Sequence, residues 1–152
     1  MEEEELSRKY PRLYHMAEVG NWPNIQKYGL LSTTALLDLF EVTNPLRKKI
    51  ESEWRSDSVT INHPVYGKAI IRDQKPMPPQ EIEKCLIDMT AQQWYEFLNK
   101  KTFFWSQEDY LNRLLNAFAY KNKPHFVLIV DTQLLVYKHR EIITLCRINS
   151  GF

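Results

Sequence analysis

Apolar and polar positions change period several times along this chain, and each change marks an element. The stretch Arg12 to Ser32 (RLYHMAEVGNWPNIQKYGLLS) predicts a strand over Leu13 to Ala17, a turn at Gly20, and a helix opening at Pro23. Proline suits a first helical position because the N–H it lacks has no partner there, and Gly29 suits the left-handed residue past a helix end. Leu30 and Leu31 resume an extended path that ends at Ser32 and Thr33. Thr33 to Val42, with Leu36, Leu37, Leu39 and Phe40, predicts a helix. Asn44-Pro45 opens the next one, where Leu46, Ile50 and Trp54 recur at spacings of four. That spacing makes one apolar face and leaves Arg47, Lys48, Lys49, Glu51 and Arg55 on a solvated one.

The period then shortens. Ser58 to Asn62 and Lys68 to Arg72 alternate, are rich in β-branched residues, and flank His63-Pro64 and Gly67, which predicts two strands joined by a turn. Arg72 to Pro76 is a polar cluster at the strand end, and Pro76, Pro78 and Pro79 stiffen the loop before a short helix over Gln80 to Leu86. Thr90 with Gln93 has capping-box spacing and starts a helix with Trp94, Phe97 and Leu98 on one face. Phe103-Phe104-Trp105 predicts a short buried strand, and Ser106 with Asp109 a cap for a helix striped by Leu111, Leu114, Leu115 and Phe118. The unbroken apolar run Phe126 to Val130 predicts a strand buried on both faces. Asp131 to Tyr137 is a turn or a short helix, and Ile142 to Ile148 a final strand. This mixed order defines an α+β fold rather than regular βαβ alternation. With no repeat or linker, residues 1–152 are expected to form one domain, the acidic residues 1–8 being mobile.

Composition narrows the function. At 152 residues the chain is long enough for a sizeable core, and its net charge of +1 supplies no overall field toward a polyanion, so any such contact must be local. Cys85 and Cys146 form no CxxC and point to a reducing compartment, with Cys85 expected as an inert core thiol. The acidic N-terminus is the opposite of a secretory leader, and Phe126 to Val130 is too short to span a bilayer; a cytoplasmic location without a membrane partner follows as the expectation. Neither GxGxxG, GxxxxGK[ST] nor GxSxG occurs, and the four histidines and two cysteines lack metal spacing, so no metal is expected.

One resemblance gives the remaining residues a common purpose. YHMAE (14–18) and NWPNIQKYGLLS (21–32) resemble the opening of the bacterial DNA ADP-ribosyltransferase toxins of the DarT type and their relatives. The resemblance implies an ADP-ribosyltransferase-like fold, two small β-sheets around an NAD cleft with flanking helices. It implies NAD as substrate and a nucleic-acid or protein acceptor, in a toxin or defence setting. It also implies roles: His15, Met16, Leu31, Ser32 and Phe104 toward NAD, Arg72 and Glu141 toward catalysis.

The chemistry fits those residue types. Breaking the bond between nicotinamide and ribose builds positive charge on the sugar, as in glycoside cleavage, so the site needs donors for ribose hydroxyls, an aromatic wall and a carboxylate. His15 and Ser32 suit the hydroxyls, Phe104 the wall, and Arg72 the pyrophosphate, which a forked guanidinium matches. Plainer readings stand beside these. His15 is equally a half-buried imidazole satisfied by a backbone carbonyl, Ser32 a helix N-cap, and the three aromatics core. Phe104 is preferred on strand alternation. Glu141 is the last acidic residue, whereas the family's glutamate follows the final strands; the chain is shortened, or that group is borrowed or absent. The alternative is a non-catalytic module that binds NAD, ADP-ribose or a nucleic-acid end, with Asn99 to Trp105 (NKKTFFW) as a stacking surface.

Overall fold

A computed structural model describes residues 3–75 and 77–146. In chain order these form α1 (Glu3–Lys9), β1 (Arg12–Glu18), α2 (Trp22–Tyr28), α3 (Thr33–Leu39), α4 (Leu46–Glu51), β2 (Val59–His63) and β3 (Gly67–Ile71). There follow α5 (Pro79–Ile82), α6 (Ala91–Asn99), α7 (Glu108–Leu115), β4 (His125–Asp131) and α8 (Thr132–His139). The result is a small α+β fold with two two-stranded sheets, β1–β4 and β2–β3, and flanking helices. Its contacts gather into two compact units, residues 3–19 with 103–146 and residues 20–102.

In the first unit β1 and β4 run antiparallel, with Arg12 opposite Asp131 and Glu18 opposite His125. Met16 on β1 packs with Leu111 and Leu114 of α7 and with Tyr120 to make the core. Two contacts hold helix α1 to the rest of its unit. Leu6 is buried, and the segment after α1 is tied to the start of α8, where Thr132 N–H donates to the Pro11 carbonyl at 3.2 Å and its hydroxyl to the Tyr10 carbonyl.

Several expectations fail in this unit because apolar runs were equated with burial. Strand β4 has β1 as its sheet partner and leaves Ile129 61% exposed, so it is not covered on both faces. Phe103 to Trp105 is no strand: it meets β1 through one bridge, Trp105 to Tyr14, and Phe103 is 45% exposed. Helix α7 ends at Leu115, which puts Phe118 outside it and almost fully exposed. Gln107, not Ser106, holds the N-cap position and makes no side-chain cap. A tight turn, Arg140–Ile142, is followed by residues without strand structure up to Cys146, so the final strand does not form there, and Arg147 and Ile148 lie outside the described residues.

In the second unit β2 and β3 form a hairpin in the register Val59 opposite Ile71, as the alternation predicts. Its apolar face, Ile61, Ala69 and Ile71, packs on Leu37 and Phe40 around α3 and on Ile50 of α4. Helix α2 opens with Pro23 in its first turn and stops at Gly29, whose φ of +82° requires glycine. Helix α4 is shorter than its period suggests. It ends at Glu51, so Trp54 and Arg55 lie past it, and Arg55 is buried rather than solvated. Helix α5 ends at Ile82 and Cys85 is exposed, against its expectation as a core thiol.

The capping box on α6 forms as its sequence dictates. Thr90 Oγ accepts from the Gln93 N–H at 3.2 Å, and Gln93 Oε1 accepts from the Thr90 N–H at 2.8 Å. The buried face of α6 is Ala91, Tyr95, Leu98 and Asn99, a helical stripe one position off the expected one. Trp94 and Phe97 instead stack on each other at its margin, ring centroids 5.8 Å apart. Because both box partners are exposed and local, Thr90→Ala is expected to cost about 1 kcal/mol in urea unfolding, and a loss under a few tenths would mean the box contributes nothing.

Among the described residues no helix is long and apolar enough to cross a membrane. No group of three or more His, Cys, Asp or Glu side chains among them is gathered as a metal would require.

Candidate functional site

In the first unit the candidate chemistry is built on β1. Pairing with β4 sets His15 opposite Leu128 on one edge. On the other edge Tyr14 and Trp105 exchange backbone hydrogen bonds, Tyr14 N–H to the Trp105 carbonyl at 2.9 Å and Trp105 N–H to the Tyr14 carbonyl at 2.8 Å. This reciprocal pair brings the preceding aromatics alongside His15. The His15 Nδ1 lies 2.8 Å from the Phe103 carbonyl oxygen, and the Phe104 ring is tilted against the imidazole with centroids 5.8 Å apart. His15 is half-buried, held but not sealed. Phe104 is therefore the aromatic beside His15, placed there by the single bridge at Trp105 and not by strand alternation.

Other candidates in this unit have different surroundings. Met16 is 4% exposed and its side chain belongs to the core with Leu111, Leu114 and Tyr120, so only its backbone shares the neighbourhood of His15. Glu141 does not open a strand; it is exposed on the Arg140–Ile142 turn. A shallow depression of about 320 Å³ is walled by Lys9, Tyr10, Arg12, Tyr14, Ser106 and Gln107 among others. Neighbouring strand residues point to opposite faces, so Tyr14 turns this depression away from the His15 side chain. At the far end of β1, His125 sits with its side chain 3% exposed and its Nε2 3.5 Å from Glu18 Oε1. The distance is within ion-pair range, but His125 Nε2 makes no hydrogen bond among the described residues.

In the second unit Ser32 is the N-cap of α3, its Oγ accepting from the Ala35 N–H at 3.2 Å. Capping uses an acceptor lone pair and leaves the hydroxyl hydrogen to donate, so the cap and a ligand role are compatible. Leu31 is half-buried in the extended link that Gly29 starts. Arg72 follows directly on β3 and is half-buried.

The residues around Arg72 form a network that the hydrophobic pattern hides. Arg55, 6% exposed, donates from Nε to the Arg72 carbonyl at 3.1 Å, from Nη1 to the Ile50 carbonyl, and from Nη2 to Asn99 Oδ1 at 3.2 Å. Asn99 in turn donates to the Glu51 carbonyl at 2.9 Å. Gln74 N–H donates to the Arg55 carbonyl at 2.7 Å, and the Gln74 carbonyl accepts from the Trp54 indole at 2.9 Å. Asp73, also buried, accepts from the Lys75 N–H at 3.2 Å. Burial pulls the Arg55 guanidinium down to about 10, against the opposing pull of Asp73, so it stays charged at neutral pH. The polar cluster after β3 is thus partly an internal brace. No local signal marks it, because α4 stops at Glu51 and the Arg55 side chain finds its partner in Asn99, 44 residues later.

These observations define the molecule as a small α+β protein with an anchored strand histidine beside an aromatic ring. The chain belongs to a family of unknown function, DUF7002, whose model matches residues 11–152, from the residue before β1 onward. No curated protein and no solved structure matches it.

Proposed function

We propose that this chain is an NAD-dependent mono-ADP-ribosyltransferase acting on a nucleic-acid or protein acceptor. The observation that carries the reading is the setting of His15: an imidazole on β1, tethered through Nδ1 to the Phe103 carbonyl, with the Phe104 ring beside it. Support also comes from the segment resembling the DarT-type enzymes, whose elements have the expected local structure: a strand bearing His15, a helix stopped by Gly29, and Ser32 at a helix start. The finer fold assignment, ADP-ribosyltransferase-like, rests on the same resemblance. In this reading His15 engages a ribose hydroxyl and Phe104 stacks near the nicotinamide; the resemblance alone assigns Ser32 and Arg72, of the second unit, to NAD.

A second reading, a module that binds NAD or ADP-ribose without cleaving it, is favoured by one observation. Glu141, the carboxylate assigned to catalysis, is exposed on a turn rather than set at a strand end. The two separate in one experiment. Protein is incubated with NAD while nicotinamide release is followed, and NAD binding is measured in parallel by calorimetry. Release well above the buffer rate is the expected result; binding without release supports the module, and neither refutes both.

A further inference from the structure

The hydrogen bond on His15 fixes more than the ring's position. A carbonyl oxygen has lone pairs and no hydrogen to give, so in the His15–Phe103 contact the imidazole must donate and Nδ1 must carry the proton. A neutral imidazole has one N–H, so its other nitrogen, Nε2, is then an acceptor. We propose that residues 103–105 are a positioning clamp that holds His15 in the Nδ1–H tautomer and makes its Nε2 the acceptor for a ligand hydroxyl. The tautomer stands on the geometry alone, and the sugar hydroxyl as ligand rests on the function proposed above.

The clamp is built from backbone. The exchanged hydrogen bonds between Tyr14 and Trp105 fasten the segment to β1 only two residues from the Phe103 carbonyl, on the same strand that carries His15. Phe104, between the two anchor points, closes one side of the ring. Phe103 therefore acts through its carbonyl, whatever its side chain touches, which is consistent with a side chain left 45% exposed. In free histidine the Nδ1–H form is the minor tautomer, so a locked Nδ1–H ring is a measurable departure. The assignment also reverses the direction expected from sequence. Neutral His15 receives a hydrogen bond from a ribose hydroxyl at Nε2 and can take its proton; donation from Nε2 requires the imidazolium.

The test is a long-range proton–nitrogen correlation spectrum of the ¹⁵N-labelled chain at about pH 8, where an ordinary imidazole is neutral. His15 is assigned among the four histidines by the signal lost in His15→Gln. The expected spectrum has a protonated Nδ1 and an unprotonated Nε2; the opposite pattern, or an average of the two, overturns the inference. In a folded Trp105→Pro variant, which lacks the N–H of the bridge, the His15 signals are expected to move toward the average, and an unmoved pattern overturns the clamp. If that variant does not fold, the wild-type spectrum still decides the tautomer. NAD at millimolar concentration is expected to shift the Nε2 signal and not the Nδ1 signal. A locked tautomer that NAD leaves untouched overturns the ligand half, while the lock itself stands and the NAD reading is decided separately by nicotinamide release and calorimetry.

Discussion

Arg55→Ala is expected to destabilise the second unit by about 3–5 kcal/mol, the range for removing one member of a buried charged network. The size follows from what is left behind. The carbonyls of Ile50 and Arg72 and the Oδ1 of Asn99 all lose their guanidinium donor in a place that water does not reach freely. Buried Asp73 loses a nearby positive charge. Urea unfolding followed by circular dichroism measures the loss. A change under about 1 kcal/mol would show that solvent replaces the guanidinium and that the network is not a brace. Pairing the change with Asp73→Leu sharpens the test. Removing both charges should cost less than the sum of the two single changes, because the two charges attract each other.

His15→Ala is expected to lower NAD turnover by about 10²–10³, the usual effect of deleting one placed polar group from a site where charge develops. The same substitution should cost only about 0.5–1.5 kcal/mol of stability, since the hydrogen bond to the Phe103 carbonyl sits at a half-buried position. That contrast separates function from folding: a large rate loss with a small stability loss is the expected signature. Arg72→Ala is expected to lower turnover in the same way. Its carbonyl, which Arg55 holds, is retained in the variant, so the brace is left in place. Turnover unchanged in both variants removes the transferase reading.

What the sequence reveals and what it hides divides along a physical line. The strand bearing His15, the stop at Gly29, the Thr90–Gln93 box, the β2–β3 alternation and the N-cap role of Ser32 all depend on residues a few positions apart, and local chemistry decides them. The lengths of α4 and α7 do not. Spacing alone extends the apolar stripes to Trp54 and Phe118, although each helix ends before that residue. Met16 was grouped with its neighbour His15, but a strand sends adjacent side chains to opposite faces, and the Leu111–Tyr120 core claims it. Arg55 is the residue whose place the sequence hides most completely. A charge past a helix end is usually solvated, and nothing local says that Asn99, 44 residues later, will meet it. The contact between His15 and Phe103 spans 88 residues, and only its possibility, a histidine satisfied by a carbonyl, was legible in advance.

The β2–β3 ribbon has a consequence for how its unit opens. A two-stranded ribbon has little stability in water by itself. Its inward residues, Ile61, Ala69 and Ile71, have as cover Leu37, Phe40 and Ile50. Loosening of that cover and fraying of the ribbon should therefore be one event, so that deuterium enters the paired amides of Ile61 and Ala69 at the same pace as those in the middle of the two covering helices.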